Sequence, residues 1–120
     1  IEAGLAAVAE SLEDVERTDE RDAESALWRL RGQLVLARQG KDDESEAERS
    51  LQKALAVAQH QGTRLPELAA ATILAQLWRQ QAKREAALAF LEPIYAWFTE
   101  GFESPELRSA RALLYELSTP

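Results

Sequence analysis

Apolar residues recur at steps of three and four along almost the whole chain, and nowhere do they alternate in twos. Leu27, Leu30, Leu34 and Val35 make one set, and Leu51, Ala54, Leu55 and Ala58 the next. Leu68, Ala71, Leu74, Ala75 and Trp78 follow, and then Ala87, Leu91, Ile94 and Phe98. That spacing gathers each set on one side of an α-helix, whereas a half-buried strand needs a period of two. The apolar residues are mostly Ala and Leu, with few Val and Ile, which favours helix again. Helix-breaking clusters separate the sets at 18–22, 40–43, 61–66, 82–84 and 99–105. The pattern predicts six helices, over 1–17, 22–39, 43–61, 66–81, 84–99 and 105–117, joined by short turns into antiparallel pairs.

The boundaries carry capping chemistry. Ser104-Pro105-Glu106 supplies a cap hydroxyl, a proline at the first helical position and an acid in the first turn. Asp43 and Glu46 have the spacing of a capping box. Gly62 falls where a helix ends in a left-handed residue. Pro93 lies inside an apolar helical pattern and is expected to kink or break it.

The chain also repeats itself. Gly4, Val8 and Ser11 precede Ala47, Leu51 and Ala54 by 43 residues, and Gly32 precedes Ala75 by the same interval. The interval then shortens to 40 between Ala47, Leu51, Ala54 and Ala87, Leu91, Ile94. It is 39 between Leu68, Ala71, Leu74 and Leu107, Ala110, Leu113; the stretch Gly40-Lys-Asp-Asp-Glu44 accounts for the difference as an insertion. A period of this size marks stacked helical hairpins, each unable to bury its apolar face alone.

The unit Leu74, Ala75, Trp78, Ala82, Ala87 and Leu91 resembles a tetratricopeptide repeat in residue type and spacing, with Ile94 where that family has a small residue. An earlier unit offers Trp28, Gly32, Val35, Ala47, Leu51 and Ala54, interrupted by the insertion. The resemblance spans nearly the whole chain, as a leading second helix, two full units and a trailing first helix. It implies an all-α fold, a short α-solenoid of antiparallel helix pairs occupying 1–120 as one domain, and a role in binding protein or peptide partners. The stretch from Leu77 to Leu114, with Tyr95-Ala-Trp-Phe-Thr-Glu-Gly-Phe102 at its centre, also resembles the tetratricopeptide-like tail of large bacterial signal-transduction ATPases, cyclases and transcriptional regulators. That likeness implies a cytoplasmic, regulatory piece of a longer signalling protein. The chain starts at Ile1 and contains no Met, which fits the expectation of a fragment.

Composition narrows the chemistry. An apolar fraction of 46% supplies a core, and net charge −7 disfavours a phosphate-binding surface, so no nucleic acid is expected. No apolar run is long enough for a membrane span, and no signal peptide is visible near the start. There is no cysteine, hence no disulfide and no thiolate metal site. The acidic run Asp42-Asp43-Glu44-Ser45-Glu46 lacks the spacing and the glycine of a calcium loop and reads as a solvated helix start. His60 has no second His or Cys beside it and reads as an exposed last-turn residue. Neither a phosphate loop nor a nucleophile with an activating base is present, so the chain is read as a non-enzyme without cofactor or metal.

Five of the eight aromatic residues lie between Phe90 and Phe102. They are read as the packed seam between hairpins rather than a ligand pocket. The expected core includes Trp28, Leu51, Leu74, Trp78, Leu91 and Phe98. With Gly32, Ala75 and Leu114 taken as equivalent positions, the inner face of the first helices holds Arg29, Gln33, Thr72, Gln76, Arg79, Arg108, Arg111 and Tyr115. Four arginines on one face of an acidic chain suit an acidic partner segment, against the plainer reading that each pairs with a neighbouring Glu. Two other functions compete: a small-molecule sensor, and an oligomerisation domain acting through the helices at either end.

Overall fold

The computed structural model describes residues 1–119. Six helices follow one another with no strand among the described residues: α1 (Glu2–Thr18), α2 (Glu24–Arg38), α3 (Asp43–Gln61), α4 (Arg64–Gln80), α5 (Arg84–Ala96) and α6 (Pro105–Ser118). The number and order match the sequence reading. Three boundaries moved by two residues or more. α2 begins at Glu24 rather than 22, after a turn over 22–23. α4 begins at Arg64, ahead of Pro66, because the third residue of a helix has no intrahelical partner for its N–H and proline loses nothing there. α5 stops at Ala96 rather than 99: Pro93 lies inside it, cannot donate to the turn before, and the helix ends within one turn.

Side-chain contacts fix the directions. Ser25 Oγ donates to the Ala54 carbonyl at 2.9 Å, and Arg38 reaches Asp43 at 2.9 Å, so α2 and α3 run antiparallel. Trp78 Nε1 donates to Glu48 at 2.9 Å and Gln59 Nε2 to Glu67 at 3.2 Å, which sets α4 antiparallel to α3. Arg84, at the start of α5, donates to the Leu117 carbonyl at 2.6 Å and to that of Thr119, closing the end of α6. Each helix packs on its sequence neighbours. The first helices also touch one another, α2 on α4 and α4 on α6, whereas α1, α3 and α5 make no such contacts. A stack closed on one side and spread on the other is curved, with α2, α4 and α6 on its inner face. Its thickness of 21 Å is two helix diameters.

The core runs along the middle of the stack. Leu51, Leu74 and Leu91 are fully buried, as expected from the repeat, together with Leu68, Leu77, Val35 and Leu117. Trp28, Trp78 and Phe98 are half-buried and edge the core. Each indole N–H donates to a carboxylate, Glu24 for Trp28 and Glu48 for Trp78. Gly32 lets α2 and α3 approach closely: a Cβ there would sit 2.9 Å from Leu51 Cγ.

Ser104 caps α6 as the sequence indicates, accepting from the Leu107 N–H at 3.4 Å with Pro105 at the first helical position. Gly62 ends α3 in the left-handed region at φ 69°. The capping box at Asp43 does not form. Asp43 is itself helical and turns back, accepting the Gly40 N–H at 2.8 Å and Arg38 at 2.9 Å, while Glu46 pairs with Arg31 and Arg38 at 2.6 and 2.9 Å. The amides such a box would serve are already taken: the Asp43 N–H donates to the Gly40 carbonyl at 3.3 Å and the Glu46 N–H to that of Asp42 at 3.2 Å, which leaves both carboxylates free for other donors. His60 is exposed in the last turn of α3.

Candidate functional site

Three parallel helices laid side by side leave grooves between their exposed edges. The more apolar one, about 520 Å³, crosses α2, α4 and α6 and is lined by Arg29 and Gln33 on α2, by Leu65, Pro66, Ala69, Thr72, Ile73 and Gln76 on α4, and by Pro105, Glu106 and Ser109 on α6. Gln76 and Ser109 also belong to a second cleft of about 580 Å³, which continues along α4 and α6 past Arg79, Gln80, Ala112, Leu113 and Glu116. The two together form one groove along the inner face.

Of the eight residues assigned to this face from the sequence, five are in the groove. Arg29, Gln33, Thr72 and Gln76 share the first cleft, and Gln76 and Arg79 the second. Arg108, Arg111 and Tyr115 are in neither. They form an exposed stripe on α6, with Tyr115 74% accessible. The displacement has a simple cause. α6 buries Leu107, Ala110, Leu113 and Leu117 against α4 and α5, and one polar flank lies on either side of that stripe. Ser109, Ala112 and Glu116 are one flank, and Arg108, Arg111 and Tyr115 the other. At 100° per residue the sequence shows both flanks but not which of them turns toward α4. Leu114, half-buried and large, is a poor marker for a small-residue position.

The arginines differ in what holds them. Arg79 is bound to Glu116 across the second cleft at 2.6 Å. Arg29 has no carboxylate within ion-pair distance among the described residues and is half-buried in the wall of the first cleft. Its counterpart on the far wall is Glu106, in the first turn of α6 where the helix dipole favours an acid. The groove therefore presents one unpaired guanidinium, an apolar floor of Leu65 and Ile73, and two amide side chains, Gln33 and Gln76. Leu65, Ile73, Glu106 and Ser109 were not singled out from the sequence. Ile73 has a signal there, an apolar residue outside the α4 stripe, but that alone does not distinguish a groove floor from a neighbour's packing surface.

The aromatic stretch divides. Tyr95 and Phe98 pack against the core, as a seam between hairpins does. Trp97, 54% exposed, instead stacks on the Arg64 guanidinium at 4.5 Å and meets the edge of Phe98 at 5.2 Å, while Phe102 lies exposed against Tyr95 at 6.1 Å. No three His, Cys, Asp or Glu side chains converge on a point among the described residues, and no helix of the described residues is long and apolar enough to cross a membrane. Neither protein-family models nor curated proteins nor solved structures give a match to this chain.

Proposed function

We propose that this chain is an interaction module of the tetratricopeptide kind, which holds an extended peptide segment along the inner groove of α2, α4 and α6. The observation that carries this reading is Arg29, an unpaired, half-buried cation set beside an apolar floor. A guanidinium in that setting is under-satisfied and recognises a carboxylate bidentately. Leu65 and Ile73 suit an apolar side chain of the same segment, and Gln33 and Gln76 offer donors and acceptors to a peptide backbone. Arg79 contributes less, because its charge is already spent on Glu116. The partner is thus a segment with an acidic residue next to an apolar one, in another protein or elsewhere in a signalling protein of the kind the sequence resembles.

Binding to an array of acidic–apolar peptides, read by fluorescence anisotropy, tests this. Arg29→Glu is expected to abolish binding while helicity is unchanged, since Arg29 has no ion pair to lose among the described residues. Glu116→Gln is expected to strengthen it by releasing Arg79. Reversing Arg108 and Arg111 should leave it alone. Affinity should fall as salt rises. Full-strength binding by Arg29→Glu would overturn the reading and direct attention to Trp97 and Phe102.

A further inference from the structure

The groove of α2, α4 and α6 holds a second charge that pairs with nothing. Glu106 is half-buried in the wall opposite Arg29. Its carboxylate has neither an ion-pair partner nor a hydrogen-bond donor among the described residues. The helix dipole accounts for an acid in the first turn of α6, and Ser104 with Pro105 already starts that helix without it. The dipole does not account for the place of the side chain in the groove wall. Arg29 and Glu106 line one cavity of about 520 Å³, yet they form no ion pair with each other. α4 lies between them, since it touches both α2 and α6, which do not touch each other.

Two half-buried charges of opposite sign are thus each short of a partner, and neither can supply the other. The ligand that satisfies both carries both signs. A purely acidic segment would satisfy Arg29 but set a like charge against Glu106, and the net charge of −7 repels it at longer range. A segment with a base as well as an acid escapes both penalties. We infer, building on the peptide reading above, that the partner segment is zwitterionic. Its acid sits over α2 at Arg29, its apolar residue over α4 on Leu65 and Ile73, and its lysine or arginine over α6 at Glu106. Packed helices lie about 8–10 Å apart, which puts α2 and α6 about 16–20 Å apart across α4. An extended chain at about 3.3 Å per residue covers that distance in about five or six residues, so the three groups belong to one short segment. Glu106 is the residue that selects it from other acidic–apolar segments.

Hexapeptides with Glu at one end, Leu in the middle and Lys at the other test this, made in both orders and with blocked termini so that no terminal charge intrudes. They are compared with the same peptides carrying Gln in place of Lys. Fluorescence anisotropy is expected to show the Lys peptide binding about ten-fold tighter than the Gln peptide, each in its better order. Glu106→Gln should remove that advantage by weakening the Lys peptide alone. Glu106→Lys should reverse it, favouring a peptide with Glu at both ends, and circular dichroism of both variants should match the parent. Gln peptides that bind as well as Lys peptides overturn the zwitterionic segment and leave the acidic–apolar reading standing. So does a Lys advantage that survives Glu106→Gln, because the base is then read elsewhere. Failure of every peptide to bind, or full binding by Arg29→Glu, overturns both.

Discussion

Individual side chains settle the turns of this protein. Three helix ends pass through the left-handed region without glycine, at Asp19, Gln39 and Ala82, with φ between 56° and 62°. These cost more than glycine would, and at the first two neighbouring side chains hold them. At the first, Arg21 bonds Asp19, Glu16 and Glu24 and ties α1 to α2. At the second, Asp43 accepts the Gly40 N–H and, beside it, Arg38. These two contacts, the amide first and the guanidinium second, hold the Asp43 carboxyl below its ordinary value of 3.8. A native pKa below the unfolded one stabilises the fold above the unfolded value and stops doing so as pH falls through the native one. Asp43→Asn should therefore lower stability at neutral pH and flatten the acid limb below about pH 4, where the parent carboxylate begins to protonate in the unfolded chain. Urea midpoints measured from neutral pH downward check this; parallel curves for parent and variant would mean that Asp43 contributes nothing.

At the scale of the element, the α2–α3 crossing is the tightest contact to test. Alanine in place of Gly32 gains helix propensity, up to about 1 kcal/mol. Its Cβ, however, meets Leu51 Cγ at 2.9 Å and the Ala47 carbonyl at 3.4 Å. Leu51 is completely buried and its branch point cannot swing away. Overpacking of this kind costs about 1–3 kcal/mol, so Gly32→Ala is expected to destabilise by about 1 kcal/mol net despite the better helix former. Thermal melts of parent and variant decide it, and a rise in midpoint would show that the two helices can move apart. The same crossing is visible in the sequence only as a small residue at a repeat position.

For the molecule as a whole, stacking makes stability uneven. α3 and α4 have helices on both sides, whereas α1 rests on α2 alone and buries two valines. In a stack of this kind each unit is held by its own folding and by its neighbours, so the end with one neighbour opens first. Amide hydrogen exchange should be fastest in α1 and slowest in α3 and α4, and equal protection across all six helices would show a single cooperative unit. α6 is better secured than α1, since its apolar stripe is entirely buried and Arg84 holds its last carbonyls.

What the sequence determined by itself is local. Apolar spacing identified six helices, and Ser104-Pro105 and Gly62 marked helix ends, because periodicity and capping depend on residues within one or two turns. The interval of 39–43 residues placed Leu51, Leu74 and Leu91 in the core, since repeated hairpins bury equivalent positions. Tertiary structure alone decided the rest. Asp43, inside α3 rather than capping it, met Arg38 of another helix, and Glu116 rather than a ligand claimed Arg79 from the next unit. The rotation of α6 about its axis took Arg108, Arg111 and Tyr115 out of the groove and brought Ser109 and Glu116 in. A sequence states which residues share a helix face. Which neighbour that face meets depends on packing between segments some 40 residues apart, and no local spacing carries that information.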